Sequence, residues 1–313
     1  MALKNDILAL FELNKGEVFS GTELAEKFGV SRNAVWKAIN SLKDSGYSIE
    51  AVGKKGYKLS ADCNLLSVEG IKAFLPSELN GIKLFVYKQT ASTNDEAKSF
   101  CVNSNSRAVF VAEQQTEGRG RFGRSFYSPP ETGLYLSAVF HPNKPIESSA
   151  LYTAAAAVAT ARAIENQAGV LPKIKWVNDL YLDNKKICGI LTEAITDFET
   201  GQVRSMIIGI GINITTDFFP GELDKKAASI GVDVPRCALS ASIISELYSL
   251  IDGDENFIDE YRKRCFIIGR EIEFFDGKKS FNGVAKGIGE NCELILKTDS
   301  QTKSFSHGEI TKF

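Results

Sequence analysis

The sequence predicts an α+β chain of several domains, and three observations carry that reading. The first sixty residues show helical periods closed by a short pair of strands, and the middle two hundred mix strand runs with helices without strict βαβ alternation. The last fifty are short strands separated by Gly and Asp turns. With 313 residues, 43% of them hydrophobic and 24% charged, the chain has material for real cores.

In the first segment, Leu3, Ile7, Leu8 and Leu10 begin one apolar face, and Leu24, Ala25 and Phe28 form a second. Val35, Ile39 and Leu42 recur at helical spacing in a third helix, with Ser31 as N-cap and Gly46 as stop. A short "GV" turn separates helices two and three, and "YSIEAVGKKGYKLS" follows as two strands across "GKKG". Over residues 1–62 this order resembles a winged helix-turn-helix DNA-binding domain. Charge points the same way. The whole chain carries a formal net charge of -2, which gives no global pull toward nucleic acid, but Ser31 to Lys58 holds Arg32, Lys37, Lys43, Lys54, Lys55 and Lys58 against only Asp44 and Glu50. In such folds Ser31, Arg32, Asn33 and Lys37 would contact DNA from the third helix, and Lys54 and Lys55 would touch phosphate from the wing. A small helical bundle with an ordinary charged surface is the plainer alternative.

The stretch "SADCNLLS" is read as a polar connector, and residues 66–265 as the second domain. Strands are expected at "IKLFVYKQ", "RAVFVAEQ", "GLYLSAVF", "PKIKWV", "LYLD", "ICGILTEAI" and "VRSMIIGIGINI". Helices are expected at "STNDEAKSFCVN", "SSALYTAAAAVATARAIENQAG", "LSASIISELYSLI" and "ENFIDEYRKRC". Residues 266–313 would form a small β-barrel from "GREIEFFD", "KSFNGVAKGIGE", "CELILKT" and "TKSFSHGEI".

Several chemistries are disfavoured. Six cysteines at least 27 residues apart and two histidines give no metal-ligand spacing, so no metal site is expected. The run "GRGRFG" lacks the P-loop spacing, and "GIGINI" ends a strand without a third glycine. No stretch of about eighteen apolar residues or cleavable leader is visible, which predicts a cytoplasmic protein with free thiols and no membrane partner.

Two runs carry positive signals. In "GRGRFGR", Gly118, Gly120 and Gly123 let backbone approach a ligand, while Arg119, Arg121 and Arg124 supply forked cationic donors for phosphate or carboxylate. Strand-like runs flank it, so it reads as a loop in a folded sheet; a solvated turn is the alternative. In "KIKWVNDLYLDNKKICGILTE", Lys173, Lys175 and Asp179 sit around Trp176 and Lys185 with Lys186 precede a buried-looking strand, although surface charge beside a hairpin would look similar.

These segments together resemble the bifunctional biotin protein ligases that also serve as biotin operon repressors. The resemblance covers nearly the whole chain through "STN" at Ser92–Asn94, "GRGRFGR", "KWVND" at Lys175–Asp179, "KICGIL" at Lys186–Leu191 and "GIGIN" at Gly209–Asn213, in the family's order. It implies a central ligase domain like that of class II synthetases and a terminal SH3-like barrel. It implies that biotin and MgATP give biotinyl-5′-AMP, which serves as both intermediate and corepressor, and that a lysine of a biotin carboxyl carrier protein then attacks it. Ser92, Thr93, Asn94 and Gln115 match the biotin-binding positions. Arg119, Gly120 and Arg121 match the loop over carboxylate and phosphate, with Arg124 beside the nucleotide. Lys186 matches the lysine at the developing acyl–phosphate bond, Asn213 the asparagine near the adenylate, and Asp179 the aspartate near the incoming amine. Val177 departs from the family's usual proline but removes no donor or acceptor. The resemblance also implies a homodimer that forms on ligand binding and meets operator DNA, and an adenosine-covering loop in which Phe218 or Phe219 stacks on adenine.

Two rival functions fit these residues less well. A transcription factor that only senses a small molecule would not need Lys186, Asp179 and the arginine loop together. A lipoate ligase on the same scaffold is set against the full "GRGR" loop with "KICGIL".

Overall fold

The computed structural model describes residues 2–142, 149–197, 199–253 and 256–313. Ser148 and Glu255, the starting residues of two helical runs expected above, lie outside that set. The chain divides into two compact units, residues 1–80 with 235–242, and residues 81–234 with 243–313.

In the first unit, α1 (Ala2–Leu13), α2 (Gly21–Lys27) and α3 (Arg32–Asp44) pack through Ile7, Leu8, Phe11, Leu24, Val35, Ile39 and Leu42, all almost fully buried. Apolar residues at helical spacing form one face on each helix, and burying those faces together is what holds three short helices in place. Ser20 caps α2 in a reciprocal box with Glu23, and Ser31 caps α3 by accepting from Ala34 N at 3.2 Å. Gly29, at φ +63, makes the turn between α2 and α3, a left-handed conformation that favours glycine. The wing is β1 (Ile49–Val52) antiparallel to β2 (Gly56–Leu59), with Val52 opposite Gly56. The helix that follows the wing is absent from the sequence reading, as is the short helix Leu223–Lys226 of the second unit. The supposed connector gives way to α4 (Val68–Phe74), capped by Ser67 Oγ, which accepts from Gly70 N at 2.9 Å.

The second unit is built on a seven-stranded mixed sheet. In chain order its elements are β3 (Lys83–Tyr87), α5 (Thr93–Asn103), β4 (Ala108–Ala112), β5 (Gly133–Phe140), α6 (Ser149–Ala168), β6 (Lys173–Lys175), β7 (Asp179–Leu182), β8 (Lys185–Thr196) and β9 (Val203–Asn213). Then come α7 (Leu223–Lys226), α8 (Arg236–Asp252), whose first residues belong to the unit above, and α9 (Ile258–Arg264). The strand order is β3-β4-β5-β9-β8-β7-β6, parallel only between β3 and β4. The parallel pair needs a crossover, which α5 supplies. The alanine-rich α6 buries nearly every residue from Thr153 to Ile164, because small side chains let a helix lie close to a sheet.

A five-stranded antiparallel sheet ends the chain, formed by β10 (Glu271–Phe275), β11 (Ser280–Ile288), β12 (Leu294–Lys297), β13 (Thr302–Phe305) and β14 (Glu309–Lys312). The run "TKSFSHGEI" yields two strands, not one. Gly308, at φ +137, turns the chain between them, and an added Cβ there would lie 2.2 Å from the Phe274 ring.

Candidate functional site

The site grows from three antiparallel strands whose registers align glycines. Gly209 and Gly211 of β9 lie opposite Leu191 and Gly189 of β8 on one side, and opposite Ser137 and Tyr135 of β5 on the other. Glycine inside a strand marks close approach of another group, and here the groups are identifiable. A Cβ on Gly209 would sit 2.3 Å from Asn94 Oδ1, and one on Gly211 would sit 2.5 Å from the Phe126 ring. The glycines therefore form the floor of an open cavity.

Eight of the expected residues line that cavity. Ser92, Thr93 and Asn94, at the start of α5, form one wall with Gln115, while Arg119, Gly120, Arg121 and Lys186 supply the charged rim. The polar wall is held by its own hydrogen bonds. Gln115 Oε1 accepts from Thr93 N (2.9 Å) and Thr93 Oγ1 (3.1 Å), and Gln115 Nε2 donates to Ser128 Oγ (3.0 Å). Asn94 Nδ2 donates to Glu193 Oε2 at 2.7 Å, and Ser137 Oγ lies 2.6 Å from Asn94 Oδ1. Ser92 is buried, yet its hydroxyl makes no capping bond to α5, leaving it available to the cavity. Fixed rotamers of this kind preorganise a site before a ligand arrives.

The arginine run is a tight hairpin. Gly120 N donates to Arg124 O (2.7 Å) and Phe126 N to Gly118 O (2.8 Å), while Phe122 and Gly123 take positive φ at the tip. Gly118 is required for closure, since a Cβ would meet Phe126 O at 2.5 Å. Each arginine has its own tether. Arg119 pairs with Asp95 of α5, and Arg121 donates to Asn178 Oδ1 (3.2 Å) and Gly308 O (3.0 Å). Arg124 makes a two-pronged pair with Glu309, one contact at 2.8 Å. Burial pushes the Arg121 guanidinium below its ordinary value against the pull of Asp179 and Glu309, whereas the hydrogen bonds to Asp95 and Glu309 hold Arg119 and Arg124 above theirs.

Across the cavity, Lys186 Nζ lies 2.7 Å from Asp179 Oδ1. Burial lowers the Lys175 ammonium below the usual lysine range, and that ammonium rests 4.8 Å from the Phe313 ring centroid. Cys188 is wholly buried and its thiol is pushed well up, which leaves it unreactive.

Three expected residues stand outside the lining. Asp179 reaches the cavity only through Lys186, and Arg124 turns to Glu309. Asn213 Nδ2 donates to Ala228 O at 3.0 Å, tying the end of β9 to the segment after α7. Sequence reasoning gave no role to Asn178, Glu193, Ser137 or the strand glycines. The in-strand glycines of "CGIL" and "GIGIN" were the available signal; the others meet the site across large sequence separations. Of the two aromatic candidates, Phe219 is buried with its ring 6.4 Å from that of Tyr127, and Phe218 is 66% exposed.

In the first unit, Arg32, Asn33, Lys37, Lys54 and Lys55 are all exposed, and Arg32, Asn33 and Lys54 line one concavity between α3 and the wing. Among the described residues, no three His, Cys, Asp or Glu side chains are grouped to hold a metal ion, and no helix is long and apolar enough to cross a membrane.

A glycine-floored, cationic cavity in a mixed sheet, accompanied by a small antiparallel sheet and a winged helix, defines the class. Residues 86–213 match the biotin/lipoate A/B protein ligase family, residues 4–58 an HTH domain, and residues 267–312 the biotin protein ligase C-terminal domain. The chain is 38% identical to the bifunctional ligase/repressor BirA of Bacillus spizizenii and 33% identical to that of Bacillus subtilis, each over 98% of both chains. A biotin protein ligase from Aquifex aeolicus in complex with biotin and ATP superposes with a TM-score of 0.63 at 25% identity, over 73% of this chain and 97% of that one. The chain belongs to the bifunctional ligase/repressor family of biotin protein ligases.

Proposed function

We infer that the protein is an ATP-dependent biotin protein ligase that also represses transcription of genes for biotin synthesis or transport. The observation that carries the reading is the convergence of Arg119, Arg121 and Lys186 with the polar wall of Ser92, Thr93, Asn94 and Gln115 on one cavity. Joining a carboxylate to a phosphate brings two anions together, so fixed positive charge is the main requirement. In the first step a biotin carboxylate oxygen attacks the α-phosphorus of MgATP, and the bond to the departing pyrophosphate breaks. In the second, the uncharged amine of a carrier-protein lysine attacks the acyl carbon, and AMP leaves with the bonding pair.

On this reading Ser92, Thr93, Asn94 and Gln115 hold the ureido ring, and Arg119, Gly120 and Arg121 cover the carboxylate and phosphate. Lys186 stabilises charge at the acyl–phosphate bond. Asp179 orients the incoming amine or accepts its proton, and Arg124 and Asn213 steady the nucleotide side. Phe218 is the aromatic free to stack on adenine. A closed hairpin that excludes water protects the reactive adenylate from hydrolysis.

Ser31, Arg32, Asn33, Lys37, Lys54 and Lys55 contact operator DNA in our proposal, and biotinyl-5′-AMP acts as corepressor by promoting a homodimer in the cytoplasm. The functional division is residues 1–62, 66–265 and 266–313. Biotin-dependent exchange between ATP and pyrophosphate, with mass spectrometry of the bound adenylate, tests the chemistry. Exchange with lipoate and none with biotin would overturn the substrate assignment.

A further inference from the structure

Trp36 is 52% exposed on the outer face of α3, although the residue before it, Val35, and Ile39 one turn on both pack the core. It follows Arg32 by four positions and Asn33 by three, which places the three on one helical stripe. With Arg32, Asn33 and Lys54 it lines the concavity between α3 and the wing. No ring contact or hydrogen bond involves the indole among the described residues. A flat apolar ring bordered by cations matches a surface with an isolated apolar mark among polar base edges and with anionic rails. Duplex DNA has that character in the major groove, where the thymine 5-methyl group is the apolar mark.

We propose that Trp36 is a specificity-determining residue of the DNA-binding face, its indole packing on a thymine methyl group. The inference rests on the assignment of the first unit to DNA binding. The test uses the full chain with biotin and ATP, and duplexes that it selects from a randomised pool. Trp36→Ala should weaken binding to the selected duplex about tenfold, with the slope of affinity against salt unchanged, because an indole displaces no counterion. Replacing one thymine at a time by deoxyuridine should cost the wild type about fourfold at one or two positions, the equivalent of one buried methyl group, and cost Trp36→Ala nothing there. DNA should also change the tryptophan emission, and Trp36→Phe should abolish that change, since Trp176 is only 2% exposed.

Equal deoxyuridine losses in wild type and Trp36→Ala, or undiminished binding by the variant, would overturn the proposal. A wild type that selects no duplex would instead remove the DNA-binding assignment beneath it. Biotin-dependent pyrophosphate exchange should be unchanged in both variants, which separates this result from any failure of the ligase reading.

Discussion

Lys186 Nζ and Asp179 Oδ1 lie 2.7 Å apart across the pairing of β7 with β8, with side-chain exposures of 32% and 17%. The pair joins the cation assigned to the first chemical step with the carboxylate assigned to the second. Lys186→Met should lower biotin-dependent pyrophosphate exchange by about 10²–10³-fold, the usual cost of removing a charge-stabilising donor. Asp179→Asn should leave exchange near wild type and slow single-turnover transfer from preformed adenylate. Equal loss in both steps would show that Asp179 acts only by holding Lys186.

Arg121 ties the hairpin to Asn178 and to the Gly308 carbonyl. Arg121→Gly should therefore release biotinyl-5′-AMP faster than wild type, followed as free adenylate in a filter or chase assay. An unchanged release rate would count against the hairpin as the retaining element.

The glycine floor gives a steric prediction. Gly209→Ala would place a Cβ 2.3 Å from Asn94 Oδ1, and such overpacking costs about 1–3 kcal/mol. Biotin affinity should fall roughly ten- to a hundredfold with the fold retained. Gly287→Ala, where nothing lies within 4 Å of the new Cβ, serves as the control, and calorimetric titration with biotin reads both.

Lys54 and Lys55 stand exposed at the wing. Replacing either by alanine should reduce the salt slope of operator affinity by about one, in contrast to the unchanged slope expected for Trp36→Ala. A flat salt dependence in the wild type would remove the wing from the interface.

Burial holds the Lys175 pKa below its ordinary value, with Asp179 and Glu309 opposing the shift. Between the lowered folded value and the ordinary lysine value, the unfolded chain binds more protons than the folded one, so this residue's contribution to stability rises with pH across that window. Comparing denaturant unfolding of wild type and Lys175→Met across the alkaline range isolates it from the tyrosines. The wild type should gain on the variant as pH rises, and a constant difference would contradict the assignment.

The sequence by itself determined most of the helices and strands, the order of the motifs and the charge of the winged helix, because periodicity, caps and turn residues act between near neighbours. Ser31 and Gly29 could be read where they stand. The helix α4 escaped because Val68–Phe74 is about two turns long and its apolar residues are too few to show a period. Gly308 looked like a strand residue until its φ of +137 separated β13 from β14. Only the tertiary structure decided which charged groups meet. Arg124 finds Glu309 185 residues away, and Asn94 finds Glu193 99 residues away. The second pairing depends on placing β9 between β5 and β8, and the first on bringing β14 of the terminal sheet to the arginine hairpin; no local pattern encodes either.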